Sequence, residues 1–278
     1  VHGLERIGAE VVIAYLGSLT RRLRWDVSLA HLLEGLRLVF MPLVNPGGLW
    51  RGTRANPQGV DLMRNAPVES AERVPFGIGG QRFSAALPWY RGAPGAPMQA
   101  ESAALCAVVE RELLGRPFAL ALDCHSGFGV HDRLWFPYAH TARPIAHLAE
   151  VHALGALLDD SLGHHRYVLE PQSRHYLAHG DLWDHLYRRA AAAPAGVFLP
   201  LTLEMGSWLW VKKNPRQLLS RHGLFNPLIE HRQQRVLRRH MAGLDFLVRA
   251  AASHAHWLPK GAERELHHAR AIERWYRR

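Results

Sequence analysis

Cysteine is scarce in this chain. Only Cys106 and Cys124 occur in 278 residues, with no C-x-x-C pair between them, so a disulfide framework is not expected. No run reaches eighteen consecutive apolar residues, which leaves no candidate membrane span. The first residues lack the charged, apolar and small-residue regions of a secretory signal. The chain therefore reads as soluble and, by expectation, cytoplasmic. Internal repeats and low-complexity tracts are also missing. Acidic residues are in the minority, 24 Asp and Glu against 34 Lys and Arg, for a formal charge of +10. Such an excess favours anionic partners through the summed field. Much of it collects near the C-terminus, in His231, Arg232, Arg235, Arg238, Arg239 and His240 and again in Arg274, Arg277 and Arg278. No recognised binding module accompanies it, so a solvated basic helix face is expected and a nucleic-acid partner is not.

What is present fits one globular α/β domain over residues 1–278, with 211–278 forming a basic, mainly helical part. Leu4, Ile7, Val11, Val12, Tyr15, Leu16 and Leu19 recur at helical spacing and predict a helix from Glu5 to about Leu23. Helical spacing returns over Gln99–Leu114, Pro144–Leu162, Asp181–Ala193 and Asn226–Ala252. Three short apolar runs, Leu36–Val44, Phe118–Cys124 and Val197–Glu204, read as buried strands. Strands alternating with helices imply a mostly parallel sheet covered on both faces, with sites beyond the carboxyl ends of the strands.

Several polar residues fall at such places. His2 and Glu5 are three apart at the mouth of the first helix, a spacing that puts an imidazole and a carboxylate on one side of a turn. His125 follows the second strand directly, and Glu204 ends the third. Between them, residues 49–65 carry Arg51, Arg54 and Arg64 with turn residues and no sustained period, either a plain connector or an arginine-lined site. Each has a plain structural alternative: a solvated helix face for His2 and Glu5, a hydrogen-bonded core histidine for His125, an ion-paired or capping carboxylate for Glu204, solvated loop cations for the arginines.

Their joint order resembles the zinc carboxypeptidase superfamily, carboxypeptidase A-like metallopeptidases related to the aspartoacylase and succinylglutamate desuccinylase deacylases. The matching blocks are His-x-x-Glu at His2 and Glu5, Asn-Pro-x-Gly at Asn45 to Gly48, Arg51 after Trp50, and Gly-Val-Asp-x-x-Arg-Asn at Gly59 to Asn65. Asp-x-His-Ser at Asp123 to Ser126 follows, then Tyr176, Ala178, Gly180, Asp184 and Tyr187 in one block, and Thr202, Glu204 and Gly206 in another. The resemblance implies a mixed, mostly parallel sheet with helices on both faces, whose first strands precede His-x-x-Glu, so that the polypeptide is expected to extend upstream of Val1. It implies one zinc ion on His2, Glu5 and His125, Glu204 as general base and acid, and Arg51 as the oxyanion's partner. Arg64 would bind a substrate carboxylate and Tyr176 would close over it. Asp61, Asp123, Asn65 and Asp184 would support these groups.

Two positions depart from the family pattern. Met63 stands where an Asn usually accompanies the arginine, which removes one hydrogen bond to a terminal carboxylate. Trp183 occupies a position that helps set side-chain preference, where a large indole implies a shallow, uncharged pocket. The expectation is a zinc-dependent metallocarboxypeptidase-like hydrolase acting on a peptide or amide bond next to a carboxylate-bearing group. An N-acyl amino acid deacylase is the alternative, and an inactive peptide- or anion-binding module the third.

Overall fold

The computed structural model describes residues 1–192 and 196–277. Its sheet has four strands, β1 (Phe118–Ser126), β2 (Arg133–Phe136), β3 (Val168–Pro171) and β4 (Val197–Met205), in the order β1-β4-β2-β3. β1 and β4 are parallel, as are β2 and β3, while β2 and β4 are antiparallel. All of β4 after Val197 is buried, as a central strand covered on both faces must be, and apart from Thr202 its composition is accordingly apolar until Glu204. Register pairs His125 of β1 with Glu204 of β4, so the two strands deliver an imidazole and a carboxylate to the same edge.

Helices flank this sheet. α1 (Arg6–Arg22) buries Ile7, Gly8, Val11, Tyr15 and Leu19 and packs against β1. Gly8 permits the contact, because a Cβ there would lie 2.3 Å from the Cys124 carbonyl oxygen. Any side chain would lift the helix, and Glu5 with it, off the strand. α2 (Val27–Glu34) and α3 (Pro46–Arg51) start on side-chain caps from Asp26 and Asn45. α4 (Ala100–Glu112), α5 (Leu148–Ser161) and α6 (Leu182–Ala192) supply Leu105, Val109, Leu148, Leu154, Leu182 and Leu186 to the main core. The short α7 (Trp208–Lys213) follows β4. α8 (Glu230–Ala252) buries Val236, His240, Gly243, Phe246, Leu247 and Ala250, and leaves Arg235 and Arg238 exposed. After α9 (His254–Trp257), α10 (Gly261–Trp275) docks on α5 through Ala271 and Trp275, reinforced by Arg264 Nε on Glu150 Oε1 at 2.7 Å. Of the predicted positions, Ala193 and Arg278 lie outside the described residues.

One expected strand is not there. Leu36–Val44 runs without helix or ladder, separated from β1 by a groove of about 550 Å³ lined by Leu36, Leu38, Phe40, Leu120 and Leu122. β1 is an edge strand of the sheet, but the run lies across this groove from it and forms no ladder with it. Conversely, β2 and β3 are four residues each, too short to stand out by alternation. Both cysteines are buried and free, and burial pushes their thiols up, to about 11 for Cys106 and about 12 for Cys124. Among the described residues no helix is long and apolar enough to cross a membrane.

Candidate metal centre

His2, Glu5 and His125 converge at the N-terminus of α1 and the carboxyl end of β1. One ligand atom from each lies within 4.8 Å of the other two, and all three residues are buried. Glu5 is the residue before the first turn of α1. Its position is fixed from both sides: Asn226 accepts from the Ile7 amide at 3.0 Å and donates to the Leu4 carbonyl at 2.8 Å. The Ser126 amide donates to Glu5 Oε2 at 3.2 Å. Nothing in the sequence marked Asn226, which lies 219 residues from the Ile7 amide it holds.

The hydrogen bonds determine which imidazole nitrogens face inward. His2 Nε2 is 3.1 Å from Asp61 Oδ1, and His125 Nε2 is 2.7 Å from Asp123 Oδ2. A neutral imidazole has one N–H; with that proton on Nε2 and donated to Asp61 or Asp123, each ring turns its Nδ1 lone pair inward. Those Nδ1 atoms are 3.2 Å apart, with Glu5 Oε1 at 2.8 Å from one and Oε2 at 2.9 Å from the other. Converging lone pairs and a carboxylate repel unless a cation lies among them. Two imidazoles and one carboxylate, each imidazole backed by a second carboxylate, suit zinc with a position left open. In the absence of metal a proton fills that role. Burial would lower the His125 pKa, but Asp123 and Glu5 outweigh it and raise it to about 10. For Glu5, too, burial is overcome, and the two histidines hold its carboxyl well below the usual range.

The arginine beside this cluster is Arg54, not Arg51. Arg54 Nε donates to Asp61 Oδ2 at 2.7 Å and its Nη1 is 3.5 Å from Glu5 Oε1. Arg51 is exposed, with Nη1 on the Pro57 carbonyl at 2.9 Å. The cause is Gly52, which ends α3 at φ +63° and reverses the chain. Arg51 remains on the last helical turn, while Arg54, beyond the reversal, reaches inward. The sequence pointed to Arg51 at this place, where the structure brings Arg54, and the Gly52-Thr53-Arg54 run is the signal that could have found it.

Glu204 stands opposite His125 in the sheet and accepts from the Phe128 amide at 3.1 Å. Burial and the neighbouring Glu5 charge raise its pKa to about 8. Arg64, in a short turn at Leu62–Arg64, is 3% exposed. It donates to the Tyr176 hydroxyl and the Met63 carbonyl, each at 3.3 Å, and to the Ile78 carbonyl at 3.4 Å. Asp181 Oδ2 lies 3.9 Å from Arg64 Nη1, a neighbour that the sequence did not single out. Burial and Asp184 raise the Asp181 pKa to about 7, against the pull of Arg64. Met63 is buried core. Trp183 is also buried, and its indole nitrogen donates to Asp123 Oδ2 at 3.0 Å. It thus braces the carboxylate behind His125, whereas the sequence suggested a pocket wall. Asp184 is tied to Ala139 and His140 and takes no part in the cluster.

A model of the zinc carboxypeptidase family matches residues 1–207. The solved structure of thrombin-activatable fibrinolysis inhibitor superimposes with a TM-score of 0.62 at 19% identity, over 91% of this chain and 60% of that one. Bovine thrombin-activatable fibrinolysis inhibitor in complex with tick carboxypeptidase inhibitor gives 0.62 at 21% identity over 91% and 79%. Carboxypeptidase A from Helicoverpa armigera gives 0.61 at 18% identity over 91% and 60%. The chain therefore spans about 60% of the length of two of these proteins, and at these identities the likeness establishes the fold. No curated protein sequence matches.

Proposed function

The chain belongs to the zinc carboxypeptidase family, and from that premise we propose a zinc-dependent hydrolase that cleaves a peptide or amide bond next to a carboxylate-bearing group. The observation that carries this reading is the pair of inward Nδ1 lone pairs 3.2 Å apart, flanked by both oxygens of Glu5. His2, Glu5 and His125 would hold one zinc ion. When bound, zinc supplies Lewis acidity, acidifying water and polarising a carbonyl.

The remaining roles fall to the chain's own groups. Glu204 takes the proton of the attacking water and returns it to the leaving nitrogen, from its place opposite His125 in the sheet. Arg54 meets the oxyanion with a permanent cation held by Asp61. Arg64 receives the substrate carboxylate, and Tyr176, already bonded to Arg64, packs over it. Asp61, Asp123 and Trp183 orient the imidazoles. One catalytic domain spans the chain, with residues 211–278 forming its basic helical flank.

A deacylase for N-acyl amino acids is the second reading. It is favoured by Met63 and by the three N–H groups that Arg64 already directs to the chain itself. A smaller substrate would need fewer of them. Peptides with free C-termini, assayed beside N-acyl amino acids on zinc-loaded protein, separate the two. Turnover of peptides lost in Glu204→Gln is the expected outcome. Turnover confined to N-acyl amino acids would move the assignment to the deacylase, and no zinc-dependent turnover of either class would refute both.

A further inference from the structure

The turn that follows α7 points apolar side chains into solvent, within a stretch of chain that carries only positive charge. From Met205 to Ile229 there is no Asp or Glu, while Lys212, Lys213, Arg216 and Arg221 are all exposed. Elsewhere exposed arginines hold carboxylates, as Arg239 holds Asp132 and Arg264 holds Glu150, but none of these four cations has such a partner among the described residues. Between Arg216 and Arg221 stand Leu218 and Leu219, which are 61% and 90% exposed.

That exposure is built into the backbone. Pro215 opens a single 3-10 turn, Pro215–Leu219, whose buried residue is Gln217. The Gln217 side chain donates inward to the Gly223 carbonyl at 2.9 Å and the Asn226 carbonyl at 3.2 Å, and the Ser220 amide closes on the Gln217 carbonyl at 2.9 Å. With Gln217 pinned inside, the next two side chains project outward. Exposed leucines are common singly, but an adjacent pair at the tip of a turn, with unpaired cations before and after it, has the composition of a surface that enters a membrane interface. An acidic peptide would satisfy the cations and leave both leucines in water. A bilayer with anionic headgroups accommodates both, with the apolar tip below the headgroups and the cations at their level.

We propose that Lys212, Lys213, Arg216, Leu218, Leu219 and Arg221 form a docking surface for an anionic bilayer. Such docking requires no membrane span, and the net charge of +10 draws the molecule toward such a surface. The turn is also tied to the candidate metal centre. Asn226, whose carbonyl receives Gln217, holds the backbone of Leu4 and Ile7 on either side of Glu5. A docked turn therefore keeps that centre at a fixed distance from the headgroups.

Cosedimentation of the full chain with vesicles tests the proposal. Phosphatidylcholine vesicles containing about one-third phosphatidylserine should bind it about tenfold or more tightly than phosphatidylcholine alone. Leu218→Ser combined with Leu219→Ser should weaken that binding by about tenfold, and Lys212→Gln combined with Lys213→Gln by about as much or more. Arg21→Gln with Arg24→Gln, two exposed cations at the C-terminal end of α1, should change it by less than about threefold. Circular dichroism checks the fold of each variant, and Leu219→Ser alone serves if the double leucine variant does not fold. No preference for phosphatidylserine, or equal binding by the leucine variant and the wild type, overturns the docking surface. An equal loss from the α1 pair and the lysine pair overturns it as well, by reducing the attraction to net charge. Binding to soluble polyglutamate without binding to vesicles would assign the cations to an acidic peptide and likewise overturn it.

Discussion

The two halves of the candidate site are held in different ways. Around His2, Glu5 and His125 the supporting bonds end on carboxylates: 2.7 Å from His125 to Asp123, 2.7 Å from Arg54 to Asp61 and 3.1 Å from His2 to Asp61. Around Arg64 they run from 3.3 to 3.4 Å and end mostly on neutral oxygens, with Asp181 at 3.9 Å. Charge-assisted bonds at short range fix a side chain, whereas long bonds to carbonyls are readily exchanged for a better acceptor. The first half is a rigid frame of converging ligand atoms. The second is a buried guanidinium on long, exchangeable bonds.

Removing a member of the frame should have the largest effect. His125→Ala is expected to lose zinc and all measurable turnover, while its fold, read by circular dichroism, persists. Glu204→Gln should keep zinc and lower kcat by about 10² to 10⁴. It also carries a pH signature in the metal-free protein. A carboxyl whose folded pKa is raised from 4.5 to about 8 contributes stability that is fully present below pH 4.5 and lost as pH rises through about 8. The melting temperature of Glu204→Gln should therefore gain on that of the wild type across this window, and a constant difference would show that the carboxyl is not held neutral.

Next comes the arginine pair. Arg54→Ala should lower kcat by about 10² to 10³, and Arg51→Ala should change it by less than about twofold. The reverse order would restore the reading suggested by sequence. Behind the ligands, Trp183→Phe removes the donor to Asp123 and should weaken zinc affinity by about tenfold. Smallest is Asp181→Asn. With its partial compensation of Arg64 removed, KM for carboxylate-bearing substrates should fall a few-fold with kcat little changed. An unchanged KM would mean that Arg64 is not the substrate's anchor.

Much of the frame was legible in sequence because each member lies at an element boundary that composition marks. His125 and Glu204 end apolar runs that became the parallel pair β1 and β4, and His2 and Glu5 open a periodic helix. What escaped notice depends on three-dimensional detail. Arg54 replaces Arg51 because one left-handed glycine reverses the chain. Trp183 turned out to brace Asp123, a contact across 60 residues. Leu36–Val44 had the composition of a strand but lies across a groove from the free edge of β1 without pairing with it, and Asn226 and Asp181 bear on the site only through long-range contacts.

The central claim is that two inward Nδ1 atoms and Glu5 form a cation site. Calorimetric titration of zinc into metal-free protein measures it most directly. One equivalent should bind tightly to the wild type and none to His125→Ala at the same concentration. No saturable binding, or binding that survives loss of His125, would contradict the account.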